Sequence, residues 1–185
     1  MDMKSKKEIR KEILNKRSAM SSLDVNTLSA GICRRLAMTE QYNNAENVCL
    51  YMPIKNEADV TLLIDALRRN GRTVWLPRVI GGHMDFYIYN EDTPLISGAF
   101  GIREPDSKTV LVPDSRTLVV MPGAVFSVKR GRIGYGGGYY DRFLEENSRC
   151  MTAAVCYDFQ IIDEVPAEAH DIKPQIIVSE KRIID

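Results

Sequence analysis

The sequence predicts an α/β protein: a single layered domain whose largely parallel central sheet is flanked by helices, with two N-terminal helices packed outside. Three observations predict it. Short continuous apolar runs recur along the chain: NVCLYMP (47–53), TVWLP (73–77), TLVVMPG (117–123), TAAVCY (152–157) and QIIVS (175–179). A strand buried on both faces has no wet side to alternate toward, so it reads as such a run. Helical stretches alternate with these runs, which is the pattern of stacked strand–helix units. The chain has 185 residues and no internal repeat or Gly/Ser/Pro-rich linker, so residues 1–185 are expected to form one domain.

The elements follow in order. In the first forty residues Ile9, Ile13 and Leu14 lie at helical spacing. Ser21, Ser22 and Asp24 then offer an N-cap to a second helix running through Leu28, Ile32 and Leu36, because a short side-chain oxygen satisfies a free N–H of the first turn. DVTLLIDALRRNG (59–71) reads as a helix closed by Gly71, which suits the left-handed position after a helix. MDFYIY (84–89) alternates as a half-buried strand does. The runs 47–53, 73–77 and 117–122 all meet proline. Read as strand ends, they aim their following loops at one rim of the sheet, where ligands of such sheets bind.

That rim carries GRIGYGGGYYDRF (131–143). Three adjacent glycines cost of order 1 kcal/mol each to order, relative to alanine. Such a loop either is a bare turn or lets backbone N–H groups close on an anion, a task helped by the helix that YYDRFLEEN starts. The Walker loop is absent because no lysine follows the glycines, and Gly-x-Gly-x-x-Gly fails because Tyr139 stands in the last glycine's place. Asp141 either caps the helix or, beside a polyphosphate, holds Mg²⁺. Arg132 offers charge to phosphate oxygens. Tyr139 and Tyr140 are either core aromatics or flat faces with a hydroxyl for a heterocycle.

Charge sets further bounds. Lys and Arg number 25, matched by 25 Asp and Glu, which argues against bulk attraction to nucleic acid or an anionic membrane. The charged N-terminus is no secretory signal, and no run approaches a membrane span. Cys33, Cys49, Cys150 and Cys156 have no Cys-x-x-Cys spacing and read as reduced thiols of a cytoplasmic protein. Lys6, Arg10, Ile13 and Arg17 share a stripe roughly 60° wide on the first helix. That stripe is either a solvated face or a set of cations leaning over an anion.

RIGYGGGYYDRFL resembles the signature of the 5-formyltetrahydrofolate cyclo-ligase family. The resemblance runs nearly end to end, through Lys6 and Arg10, YMPIKNEADV (51–60), PRV (77–79), HMDF (83–86), REP (103–105), VVMPGAVF (119–126) and HDIK (170–173). It implies ATP-dependent closure of 5-formyltetrahydrofolate to 5,10-methenyltetrahydrofolate with Mg²⁺, by a monomer acting on small molecules; the balanced charge and the lack of a membrane span add the expectation of no nucleic-acid and no membrane partner. It implies ATP contacts at Lys6, Arg10, Arg132, Ile133, Gly134, Tyr135, Gly136, Gly137, Gly138, Tyr139 and Tyr140. Folate contacts fall on Met52, Glu57 and the loop from Tyr135 to Tyr139, and metal-linked carboxylates on Asp141 and Asp171. Arg132, Tyr139 and Asp141 are the expected catalytic set. The alternative is a non-catalytic nucleotide- or folate-binding module of the same fold. Two positions depart from the family pattern. Ser127 follows the phenylalanine of the Pro-Gly strand, and Pro174-Gln175 follow the His-Asp motif, where many members carry acids.

Overall fold

The computed structural model describes residues 5–166 and 172–185. Helices α1 (Lys6–Ser18), α2 (Ser22–Leu36) and α3 (Glu40–Asn44) precede strand β1 (Asn47–Cys49). A 3₁₀ turn at Val60–Leu63 runs into α4 (Ile64–Arg69), then β2 (Thr73–Ile80), β3 (His83–Ile88), β4 (Leu95–Ser97) and β5 (Arg103–Pro105). Next come β6 (Thr117–Met121), β7 (Val125–Ser127), β8 (Arg132–Ile133) and α5 (Tyr139–Glu146). The chain closes with β9 (Met151–Val155), β10 (Ile161–Ile162), β11 (Ile176–Val178) and β12 (Ile183–Ile184).

Local chemistry explains the helix boundaries. Ser5 and Glu8 form a reciprocal capping box at the start of α1, and Ser21 accepts the Asp24 N–H at the start of α2. Asp59 accepts the Thr61 N–H at 2.9 Å, which tightens the first turn of the 59–71 segment into 3₁₀ geometry. Gly71 then takes a positive φ of 70°.

Seven strands form the main sheet in the order β12-β11-β9-β6-β1-β2-β3. Every inner pair is parallel, and the two edge pairs are antiparallel. This is the α/β architecture that the apolar runs predict. Alternate residues divide between two faces. Val48, Val74, Leu118, Val120, Ala153 and Val155 pack with Ile32 and Leu36 of α2 and Leu67 of α4. Cys49, Trp75, Val119 and Met121 face the other way, onto Phe143 and Leu144 of α5.

A second, three-stranded sheet, β10-β7-β8, adds Phe126 and Ile161 to that other face against Ala154 and Ile177. Helix α1 packs on this small sheet, with Ile13 against Ala124, Val125 and Ile133. Of the two N-terminal helices, α2 therefore covers the main sheet, whereas α1 covers the strands that carry the glycine loop. The four cysteines are buried free thiols, and burial pushes Cys150 up to about 11 and Cys33 up to about 12.

One expected strand end is corrected. Pro77 does not stop β2, which continues to Ile80 paired with β3. By the alternation of a strand, its nitrogen points the same way as that of Val79, whose N–H meets Glu104 rather than β3. On that side β1 has already ended at Cys49, so no ladder bond is lost. Two loops, after β1 and after β6, reach the rim as expected; the third does not.

Candidate active site

The glycine loop leaves β8 and enters α5 within five residues. Its backbone takes positive φ at Gly136 (100°) and Gly138 (63°), which a side chain would strain. Gly138 is the N-cap of α5 and offers no side-chain cap. Among the described residues, no main-chain hydrogen bond uses the N–H of Gly134, Gly136, Gly137 or Gly138. These donors, at the positive end of a helix, form a cradle for an anion.

Cations gather around it. Arg132 is buried and places Nη2 2.8 Å from each oxygen of Asp141. A Cβ on Gly134 would lie 3.3 Å from Arg132 Nη1, and one on Gly136 would lie 3.7 Å from Arg10 Nη1. So α1 does lean over the loop, and Arg10 is the residue that reaches it; Lys6 lies one turn earlier on the same helix. The buried atoms Arg10 Nε, Arg132 Nε and Arg17 Nη2 have no hydrogen-bond partner among the described residues. Unpaired buried guanidinium nitrogens are costly, and an anion at the loop would supply what those beside it lack.

The tyrosines divide. Tyr139 lies against Gly137, where a Cβ would come 2.7 Å from its ring, and Arg142 stacks on it at 5.0 Å. Tyr140 turns toward the core, edge-on to Phe86 at 6.3 Å, with Arg132 5.9 Å from its ring centre. Burial and the nearby Glu57 push the Tyr140 phenol up. Ile133 is a core residue whose carbonyl accepts the Ala124 N–H at 2.8 Å.

The loop after β1 meets this site. Lys55 and Asn56 both take positive φ, 48° and 58°. Asn56 holds the bend through its side-chain amide, which donates to Arg17 O at 3.2 Å and Met20 O at 3.3 Å. The bend carries Glu57 inward to 5% exposure. Glu57 Oε2 accepts the Ile54 N–H at 2.9 Å, and Oε1 accepts the hydroxyl of Tyr135. Burial pushes the Glu57 carboxyl up, while Tyr135, Ile54 and the nearby Arg17 pull it back. Burial and Glu57 also push the Tyr135 phenol up. Met52 is half-buried against the main core.

Arg17 was legible only as one more cation in the α1 stripe. It is in fact 1% exposed and donates to Lys55 O at 3.0 Å and Gly123 O at 3.4 Å. Gln160, which the sequence did not single out, donates to Gly123 O and Ala124 O at 3.1 and 2.9 Å. The two departures from the family pattern also have local partners. Ser127 Oγ accepts the Gly131 N–H at 3.0 Å, and Gln175 accepts Arg130 Nη1 at its carbonyl, 2.9 Å away. The turn after β7 is thus tied to the segment before β11 without an acid at either place.

Of the two carboxylates expected to hold metal, Asp171 lies outside the described residues. Asp141 sits at the mouth of the loop with its side chain 20% exposed. Among the described residues, no group of three or more His, Cys, Asp or Glu could hold a metal ion. One carboxylate beside a loop of free N–H groups is nevertheless compatible with Mg²⁺, which is commonly held by one or two carboxylates, phosphate oxygens of a ligand and water.

The sequence profile of the 5-formyltetrahydrofolate cyclo-ligase family matches residues 2–180. The chain belongs to this family. Among curated cyclo-ligases, that of Haemophilus influenzae is 27% identical over 179 residues, covering 93% of this chain and 96% of the relative. The structure of the Aquifex aeolicus 5,10-methenyltetrahydrofolate synthetase is 32% identical, with a TM-score of 0.85, covering 96% of this chain and 91% of that one. The Mycoplasma pneumoniae synthetase is 27% identical with a TM-score of 0.78, covering 97% and 99%. In this cyclo-ligase family member, no described helix is long and apolar enough to cross a membrane.

Proposed function

We propose that this chain converts 5-formyltetrahydrofolate and ATP to 5,10-methenyltetrahydrofolate, ADP and phosphate. The observation that carries the reading is the meeting of two unlike sites. A loop of free main-chain N–H groups, beside the unpartnered Nε atoms of Arg10 and Arg132, stands next to a buried acid, Glu57, bonded to the loop's own Tyr135.

A formamide oxygen is a poor leaving group. In the proposed sequence it attacks the γ-phosphorus, the bond to the bridging oxygen breaks, and ADP departs. N10 then attacks the formyl carbon, the carbon–oxygen bond breaks, and phosphate leaves with that oxygen while N10 gives up its proton. Loop N–H groups 134–138, Lys6, Arg10 and Arg132 hold and neutralise the phosphates, which is most of what such a transfer needs. Tyr139 flanks the nucleotide, and Tyr140, turned to the core against Phe86, backs Arg132 rather than the nucleotide. Glu57 accepts N–H groups of the pterin, with Met52 and Tyr135 against its face. Asp141, and by the family resemblance Asp171, would hold Mg²⁺, which would supply charge neutralisation on the phosphates.

The test is turnover. Purified protein with 5-formyltetrahydrofolate and Mg-ATP is expected to develop methenyl absorbance near the visible edge and to release phosphate in step. No ATP-dependent spectral change, or phosphate release independent of folate, would overturn the proposal.

A further inference from the structure

Glu57 needs something to hold it. Among the described residues five titratable groups face it: Arg17 from α1, Lys55 from its own loop, Tyr135 from the glycine loop, Tyr51 from the end of the β1 run and Tyr140 from α5. The cations among them are Arg17 and Lys55, and Arg17 is the buried one. Its Nη1 lies 3.9 Å from Glu57 Oε1, and its guanidinium lies 5.6 Å from the centre of the Tyr135 ring.

The same side chain spans three loops. Nε donates to Lys55 O beside Glu57, Nη1 donates to Gly123 O after β6, and the Tyr135 ring of the glycine loop covers it. A buried arginine pays its desolvation only through such contacts. A lysine has one point charge and no rigid fork, so it cannot reach two carbonyls and a carboxylate in one plane.

We propose that Arg17 is a positioning residue for Glu57, acting through its charge as well as through its clamp on the Lys55 and Gly123 carbonyls. The proposal rests on Glu57 as the acceptor for the substrate's heterocycle. Burial already outweighs the groups that hold the Glu57 carboxyl down, and removing the buried cation leaves it less opposed. A protonated Glu57 then gives up an acceptor that the heterocycle's N–H groups require. A purely architectural arginine predicts something else: loss of stability with equal harm to both substrates.

The experiment uses the full chain with R17M and R17K. The Ile54 amide donates to Glu57, so its ¹⁵N–¹H shift followed against pH reports the Glu57 titration directly. In R17M the inflection is expected to move up by about one pH unit or more, and in R17K by less than about half a unit. In turnover, R17M is expected to raise KM for 5-formyltetrahydrofolate about tenfold at neutral pH, leaving KM for ATP within about twofold. R17K, with its charge kept and its fork lost, falls between. Combined with E57Q, the R17M effect on folate KM is expected to shrink to about twofold.

An unmoved Ile54 inflection in R17M, or an equal rise in both KM values, overturns the proposal. Should R17M not fold, R17K decides it: a selective rise in folate KM supports positioning, and an equal rise for both substrates overturns it. Wild-type protein without turnover would defeat the functional reading alone, since the Ile54 titration still decides whether Arg17 governs Glu57.

Discussion

Tyr135 of the glycine loop donates its hydroxyl to Glu57, a residue 78 positions earlier in the chain. The bond joins the proposed phosphate and pterin ends of the site, and it is polarised. The hydroxyl pulls the Glu57 carboxyl down against the upward push of burial. Tyr135→Phe removes the donor and keeps the ring over Arg17. The expected result is a rise in folate KM of about tenfold, the scale of a lost hydrogen bond to a charged group. The acid limb of the kcat/KM profile is expected to move to higher pH. A pH–rate series on both proteins checks it, and an unchanged profile would reduce Tyr135 to a cover.

Glu57 also couples stability to pH. Its folded pKa is raised above the ordinary 4.5, so the native state binds the proton more tightly than the unfolded chain. Its favourable contribution is therefore complete below about pH 4.5 and lost as pH rises through the folded value. Glu57→Gln removes that dependence. The variant is expected to gain stability relative to wild type as pH rises from 4.5 to 8, measured by urea unfolding at both ends. A gap that does not widen would contradict the burial argument.

Gly136 and Gly138 take φ values of 100° and 63°. Alanine at either position is expected to cost about 1 kcal/mol or more of stability through backbone strain. It is also expected to raise KM for ATP more than KM for folate, because the cradle closes by these residues. Thermal unfolding and nucleotide titration separate the two effects. Equal KM changes would detach the cradle from the nucleotide.

Asp141 is held by Arg132 Nη2 at 2.8 Å and by the Ile172 N–H at 3.2 Å. Asp141→Asn weakens both bonds, for an expected loss of about 1–3 kcal/mol in stability. If Asp141 also meets Mg²⁺, the half-saturating Mg²⁺ concentration at fixed ATP is expected to rise about tenfold. A Mg²⁺ titration identical to wild type would leave Asp141 as a partner of Arg132 only.

The sequence made the sheet legible because its inner strands are buried on both faces and so stand out as apolar runs. The glycine loop was legible because its composition is costly without a ligand or a tight bend. What stayed hidden depends on contacts between distant segments. The α1 stripe placed Lys6, Arg10 and Arg17 on one face, yet helical spacing gives no partner for that face. Arg10 reaches the loop, whereas Arg17 turns inward to carbonyls 38 and 106 positions away. Pro77 misled for a related reason. A proline ends a strand only where a neighbour needs its N–H, and β1 is too short to be that neighbour. Glu57 was expected at the rim, and it is there, but no sequence pattern signals that Lys55 and Asn56 bend left-handed to bury it.

Trp75 is the sole tryptophan of the chain, and its indole N–H donates to Asn47 Oδ1 at 2.9 Å. It shares a cluster with Phe143 and Leu144 of α5, the helix that the glycine loop opens. The protein therefore carries its own optical gauge. Any shift of α5 against this cluster would change the surroundings of the indole, so its emission can report on the helix without any label.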